Sequence, residues 1–263
     1  MGSVTSPKAV PVPQDITAAW CSKFLLKKVK SATIVKQYHG TASKLIVSLT
    51  YGDGIAGPRS ICVKGGFNAD LMAQMPVVKF VIRREAEFYY YLVDLRLPRP
   101  YLCPTDIVNG QGIVVMEDMS ADTELGSPLK VRIHDKSRLT GSDDLAANPY
   151  KSMVLALLSP AAFTDRFVEG SRPPIPAKLN DRERVIATFR TLWYDTSAGH
   201  SKFRCLIHGD PHAPSTFVRA GGLSGFLGWQ GLCFGHPFHD LAYFLVGALI
   251  IADRCAHQRR ALI

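Results

Sequence analysis

The chain has 263 residues, 47% of them hydrophobic and 20% charged, which excludes a disordered polymer and allows one large domain or two small lobes. A chain of this length can bury roughly 75% of its unfolded surface, so its core needs no disulfide or metal staple. Thirty-one Lys and Arg against 22 Asp and Glu give a net charge of +9, which favours acidic partners but does not specify a fold.

Residues 1–14 carry three prolines and read as a flexible leader. Met1-Gly2-Ser3-Val4-Thr5-Ser6 fits the loose N-myristoylation pattern, which many chains meet by chance. Asp15 is placed to cap a helix running to about Lys30. From Ile16 to Tyr51 there are six lysines (Lys23, Lys27, Lys28, Lys30, Lys36, Lys44) and no acid. Lys23, Lys27 and Lys30 would form a stripe beside Ile16, Trp20 and Phe24, either a solvated helix face or a contact surface for an acidic partner. Zinc-finger spacing, an RNA-recognition motif and a heptad-linked basic region are all missing, so nucleic acid is a poor fit.

Ser43–Tyr51 and Arg59–Lys64 read as strands of a hairpin turning at Gly52-Asp53-Gly54. A helical pattern runs from Val77 to Leu95, then strands from Tyr101 to Val108 and Gly112 to Met116 meet at Asn109-Gly110. On the long helix Val81, Glu85, Phe88 and Leu92 share one face, so Glu85 points inward and needs a cation, while Glu87 points away. After Glu117-Asp118 the texture changes. Residues 120–145 are polar and loop-like, and helices follow at about Tyr150–Glu169 and Asp181–Ala198, the second with Val185, Phe189, Leu192 and Trp193 on its apolar face. Short strands at Phe203–Ile207, Thr216–Arg219 and Gly225–Leu227 surround a His, Asp and Gly cluster, and a helix from His239 closes the chain. Its apolar run, Leu241 to Ala252, is too short for a bilayer span and reads as buried. Six scattered cysteines without a C-x-x-C pair suit buried thiols in a reducing, cytoplasmic setting. The pattern is α+β: an N-lobe at residues 15–116 and a C-lobe at 117–263, with a ligand cleft between them.

His208-Gly209-Asp210-Pro211-His212 presents two imidazoles and a carboxylate on a turn after a strand, an arrangement that can hold a base against a substrate proton. Taken alone, such a turn is as well explained by histidines that hold the backbone. It is followed by Gly225-Phe226-Leu227-Gly228-Trp229-Gln230 and by Gly235-His236-Pro237-Phe238-His239-Asp240-Leu241-Ala242-Tyr243. In that order these segments resemble the C-lobe of the aminoglycoside phosphotransferase and choline kinase-like family. Arg59–Lys64 is similar to its lysine strand, Arg84–Tyr89 to the helix with the partner glutamate, and Gly112–Asp118 to the hinge strand. Gly40-Thr41-Ala42-Ser43 is a weaker likeness to its glycine loop.

The resemblance implies a two-lobed, protein-kinase-like fold with a small β-rich N-lobe and a truncated helical C-lobe. It also implies Asp210 as catalytic base, Asp240 as a carboxylate bonded to the backbone of that turn, and a vestigial nucleotide pair in Lys64 and Glu85. The chain departs from the family where metal should bind. The family's Asn position is Ser215, and the Asp before Trp is Gly228. A hydroxyl is a weak neutral ligand and glycine offers none, so neither metal nor cofactor is expected, with ATP and Mg as the alternative. Three functions follow from the resemblance and its gaps. The first is a repurposed biosynthetic enzyme, metal- and nucleotide-independent, that isomerises, eliminates or cyclises a small hydrophobic molecule with Asp210, His212 and His208. The others are a non-catalytic pseudokinase with a protein partner on Lys-rich residues 23–44, and a residual ATP-dependent phosphotransferase.

Overall fold

The computed structural model describes residues 12–74, 77–91, 97–106, 108–121, 150–166, 180–197, 205–219 and 222–248. The leader before residue 12, the loop-like stretch beyond 121 and Cys255 lie outside the described residues. Two compact units are present: Met1–Thr140 with His208–Leu232 and Asp240–Ile263, and Gly141–Ile207 with Cys233–His239. They interleave in sequence, where composition suggested one boundary at 116/117.

In the first unit, helix α1 (Ala18–Leu25) starts at Thr17, whose hydroxyl accepts from the Trp20 N–H at 3.2 Å. The expected cap, Asp15, instead accepts from the Val12 N–H. The helix ends at Leu26 in the left-handed region, φ 53°. It does not reach Lys30, because Val29–Tyr38 is a strand, β1, paired antiparallel with β2 (Ser43–Tyr51). The β-branched run Thr33-Ile34-Val35 favours that extended state. The lysine stripe is therefore corrected: Lys23 lies on α1, Lys30 and Lys36 on β1, and Lys44 on β2.

β2 and β3 (Ser60–Gly65) form the expected hairpin, with Gly54 at φ 74°. Strands β4 (Pro100–Leu102), β5 (Thr105–Asp106) and β6 (Gln111–Glu117) complete an antiparallel sheet of order β1-β2-β3-β6-β4, with β5 beside β6. Strand alternation sends Leu45, Val47, Leu49, Ile61, Val63, Ile113 and Val115 to one face, where they bury Ile16 and Cys21 and pack Trp20 and Phe24. The other face carries Lys44, Lys64, Cys62 and Met116, since Lys44 pairs with Lys64, Lys64 with Val114 and Cys62 with Met116.

Helix α2 (Ala69–Gln74) leads to helix α3 (Val77–Tyr91), which packs on the Lys64 face. Residues 82–89 of α3 are buried around the whole circumference. Glu87 is thus corrected: it does not face solvent but is buried against Arg83, at 3.3 Å. The cause is a second partner for the helix. The Phe88 ring stacks on Trp229 at 4.2 Å, and Arg84 donates to the Leu232 carbonyl at 3.1 Å.

At Gly112 of β6 an added Cβ would lie 2.7 Å from the Arg83 Cα and 3.0 Å from the Ala86 Cβ. Helix and strand touch through backbone there, and neither can yield cheaply. Gly112→Ala is therefore expected to lose about 1–3 kcal/mol of stability by overpacking, read from the denaturant midpoint. An unchanged midpoint would refute the close approach.

In the second unit, Tyr150–Leu157 and Pro160–Arg166 (α4 and α5) replace the single expected helix, interrupted where Ser159 precedes Pro160. Helix α6 (Arg182–Ser197) buries Ile186, whereas Leu192 is exposed. Strands β7 (Cys205–Ile207) and β10 (Cys233–Gly235) pair antiparallel. Strands β8 (Thr216–Arg219) and β9 (Leu223–Phe226) form a hairpin in the first unit. Helix α7 (Pro237–Ala248) closes the described chain, and it is not buried as expected: Phe238, Leu241 and Val246 are exposed. The α+β expectation is borne out, with an antiparallel sheet and several helices. No helix among the described residues is long and apolar enough to cross a membrane.

Candidate functional site

Lys64 stands near the end of β3 with its side chain buried, and burying a bare ammonium is costly unless it is paired. Glu85 of α3 supplies that pair, its two oxygens 2.8 and 2.7 Å from Lys64 Nζ. The inward carboxylate read from spacing is therefore where the sequence placed it. The same Glu85 accepts from the Trp229 N–H at 3.1 Å, which ties helix, strand and the Trp229 turn together.

A third acceptor was not foreseen. Gln230 Oε1 lies 2.6 Å from Lys64 Nζ, so the three ammonium protons are shared between Glu85 and Gln230. The only sequence signal was its position directly after the Gly228-Trp229 pair, where an amide can turn back toward the lysine strand.

Beyond β7 the chain turns sharply at Gly209, φ 83°. Asp240 holds this turn by accepting from the His208 N–H at 2.6 Å and the Gly209 N–H at 2.9 Å. Both ring nitrogens of His208 are committed to backbone. Nε2 donates to the Leu227 carbonyl at 2.8 Å, and Nδ1 accepts from the Asp210 N–H at 3.2 Å. Burial pushes its pKa down to about 4, so the ring is neutral. His208 is thus corrected from acid–base candidate to positioning residue, because neither nitrogen is open to a reactant.

Asp210 and His212 are partly exposed and face each other, with His212 Nε2 3.5 Å from Asp210 Oδ2. Tyr243 is hydrogen-bonded to Asp210, and burial together with that carboxylate raises the pKa of the phenol. One turn later, at the end of the 3₁₀ turn Ala213–Ser215, Ser215 Oγ lies 3.2 Å from His212 Nε2.

Gly228 brings these groups into one place. Its backbone is left-handed, φ 74°, and a Cβ built there would stand 3.4 Å from Ser215 Oγ, 3.9 Å from Lys64 Nζ and 4.0 Å from Gln230 Oε1. The two positions that differ from the family are therefore neighbours, beside the lysine. Of the sequence-predicted site residues, the structure gathers Lys64, Glu85, Ser215 and Gly228 around one small space. Asp210 and His212 adjoin it through Ser215. A cavity of about 150 Å³ lined by Gly66, Phe67, Met72, Lys79 and Gly112 shares none of these residues.

Comparison with known proteins agrees with the C-terminal motifs. Residues 149–263 match the family described as "Phosphotransferase enzyme family". Among solved structures, the chain is similar to choline kinase LicA from Streptococcus pneumoniae, at 16% identity over 90% of this chain and 76% of that one, TM-score 0.46. It is also similar to aminoglycoside phosphotransferase APH(2")-IIa in a streptomycin–ATP ternary complex, at 14% identity, 88% and 75% coverage and TM-score 0.45. A thermostable mutant of aminoglycoside phosphotransferase APH(4)-Ia follows at 12% identity, 91% and 82% coverage and TM-score 0.43. No curated protein matches the sequence.

Proposed function

We propose that this phosphotransferase-like chain acts on a small hydrophobic molecule without magnesium or nucleotide, with Asp210 and His212 as its acid–base pair. The observation that carries the reading is that the two altered positions adjoin: a Cβ built on Gly228 would stand 3.4 Å from the Ser215 hydroxyl and 3.9 Å from the lysine Nζ, and no carboxylate or amide oxygen is supplied by either residue's side chain. Mg²⁺ commonly takes one or two carboxylates besides phosphate and water. Here the family's two ligand positions offer one neutral hydroxyl. The residues present do not fit the ion, and no phosphoryl transfer is derived through it.

A carboxylate and an imidazole in contact can pass a proton in either direction, which suits isomerisation, elimination or cyclisation, pericyclic closure included. The test is a melting curve at millimolar Mg-ATP. A nucleotide at 100 times its Kd would add about 2.7 kcal/mol, a rise of several degrees, and no rise is expected. A clear rise, or ADP release with choline or an aminoglycoside as acceptor, would overturn the proposal.

A second reading, a non-catalytic binding module, is favoured by Gln230. Its amide already satisfies the cation that would otherwise meet a phosphate. A partner on the lysines of residues 23–44 would then be lost from pull-down when Lys30 and Lys36 are changed to Glu.

A further inference from the structure

We infer that the cavity beside α2 and α3 is a binding site for a small aromatic carboxylic acid, one ring carrying one carboxylate. The turn after β3 supplies Gly66 and Phe67 to its wall, α2 supplies Met72, and α3 supplies Ile82 and Lys79, all within the first unit. Met72 and Ile82 are buried and packed with Ala42 and Val78, so the apolar floor is held in place. The volume is about 150 Å³, the size at which an apolar cavity takes up a benzene ring and stays free of water. A flat ring there meets the Phe67 ring and the Met72 thioether, both of which favour aromatic neighbours.

The charge on the wall has one sign. Lys79 is a cation, and no Asp or Glu lines the cavity. The lysine is half-buried, and among the described residues no carboxylate is paired with its ammonium. An apolar volume with an unneutralised cation at its wall selects a ligand with an apolar body and an anionic end. A neutral arene would leave the ammonium unpaired, and acetate would leave the volume unfilled. The inference goes beyond the metal-free reading and does not rest on it, since neither Asp210 nor His212 lines this cavity.

Gly66 supplies the control. It is exposed, its φ is not positive, and a Cβ built on it would lie 3.3 Å from Met72 Sδ and 3.4 Å from Ile82 Cδ1. A long side chain at that position therefore reaches the cavity floor and takes the place of the ring.

The full chain, with isotope-labelled methionine methyl groups, is titrated with sodium benzoate at constant pH and ionic strength and followed by NMR. The Met72 methyl signal, assigned by its loss in Met72→Leu, is expected to shift saturably with benzoate and to stay in place with acetate. Lys79→Met should raise the half-saturating benzoate concentration about tenfold, the worth of one charge-assisted contact, and leave that of toluene unchanged. Gly66→Leu should abolish the response to both, with melting curves showing that each variant is folded. The inference is overturned if benzoate leaves the wild-type Met72 signal unmoved, if acetate moves it equally, or if Lys79→Met binds benzoate as tightly as wild type. The first two outcomes need no variant at the cavity wall beyond the assignment. The melting test with Mg-ATP is a separate measurement, so either proposal can fail alone.

Discussion

Glu85→Ala should lower the melting temperature by on the order of 10 °C. The carboxylate is wholly buried, faces the Lys64 ammonium and accepts the Trp229 N–H, so its removal strands a cation and an amide at once. Breaking a buried pair from one side removes about 3–5 kcal/mol, a large part of the 5–15 kcal/mol that holds a typical domain together. Gln230 softens the loss only by keeping one of the three lysine protons. The double change Lys64→Met with Glu85→Leu should recover most of the stability, because an apolar pair of similar volume leaves no uncompensated charge. A single variant within about 1 kcal/mol of wild type would show that the pair carries little of the fold, and a double variant worse than both singles would point to packing as the cause.

Acid should weaken the protein well above the usual carboxylate range. His208 has a folded-state pKa of about 4 against an ordinary 6.5, because burial opposes its charged form. Between those values the unfolded chain binds a proton that the folded chain refuses. Stability is therefore complete above pH 6.5 and falls as pH drops through the window, by about 3 kcal/mol at pH 4. Asp118 and Asp106 have pKa values held below the usual 3.8 by hydrogen bonds, from Ser120 and Ser60 to the first and from Asn109 to the second. Their loss of stability comes below that value and does not overlap. Urea unfolding at pH 7, 6, 5 and 4.5 should show the decline, and His208→Gln should flatten it. An equal slope in both proteins would remove His208 as the source.

The sequence made visible those features that depend on near neighbours or on a motif. Gly52-Asp53-Gly54 announced its hairpin because a turn of that length needs a residue able to take positive φ. The inward Glu85 followed from helical spacing, and its partner was the lysine that the resemblance nominated. What was missed depends on contacts made across the chain. From sequence β1 reads as the tail of a helix, because three lysines at helical intervals imitate an amphipathic face. The alternation that should have marked a strand was blurred, since most of β1 faces water on both sides. Spacing alone sends Glu87 to solvent because it describes one apolar face, whereas α3 is enclosed from two directions by the sheet and the Trp229 turn. Gln230 is marked in the sequence only by standing directly after the Gly228-Trp229 pair. Its role arises only when the backbone after Gly228 folds back on β3. The assignment of His208 failed for a related reason: type and position showed a histidine on a turn, while both of its partners are backbone groups.

The position of β1 at the end of the sheet order has a consequence for how copies of this protein meet in concentrated solution. Among the described residues this ten-residue strand is paired on one side alone, and such a rim is a template on which an extended chain could lay itself. Lys30 and Lys36 stand along that rim, so two copies approaching rim to rim bring like charges together before a ladder can form. The basic character that first suggested an acidic partner thus also acts as a guard, keeping the molecule from polymerising with itself.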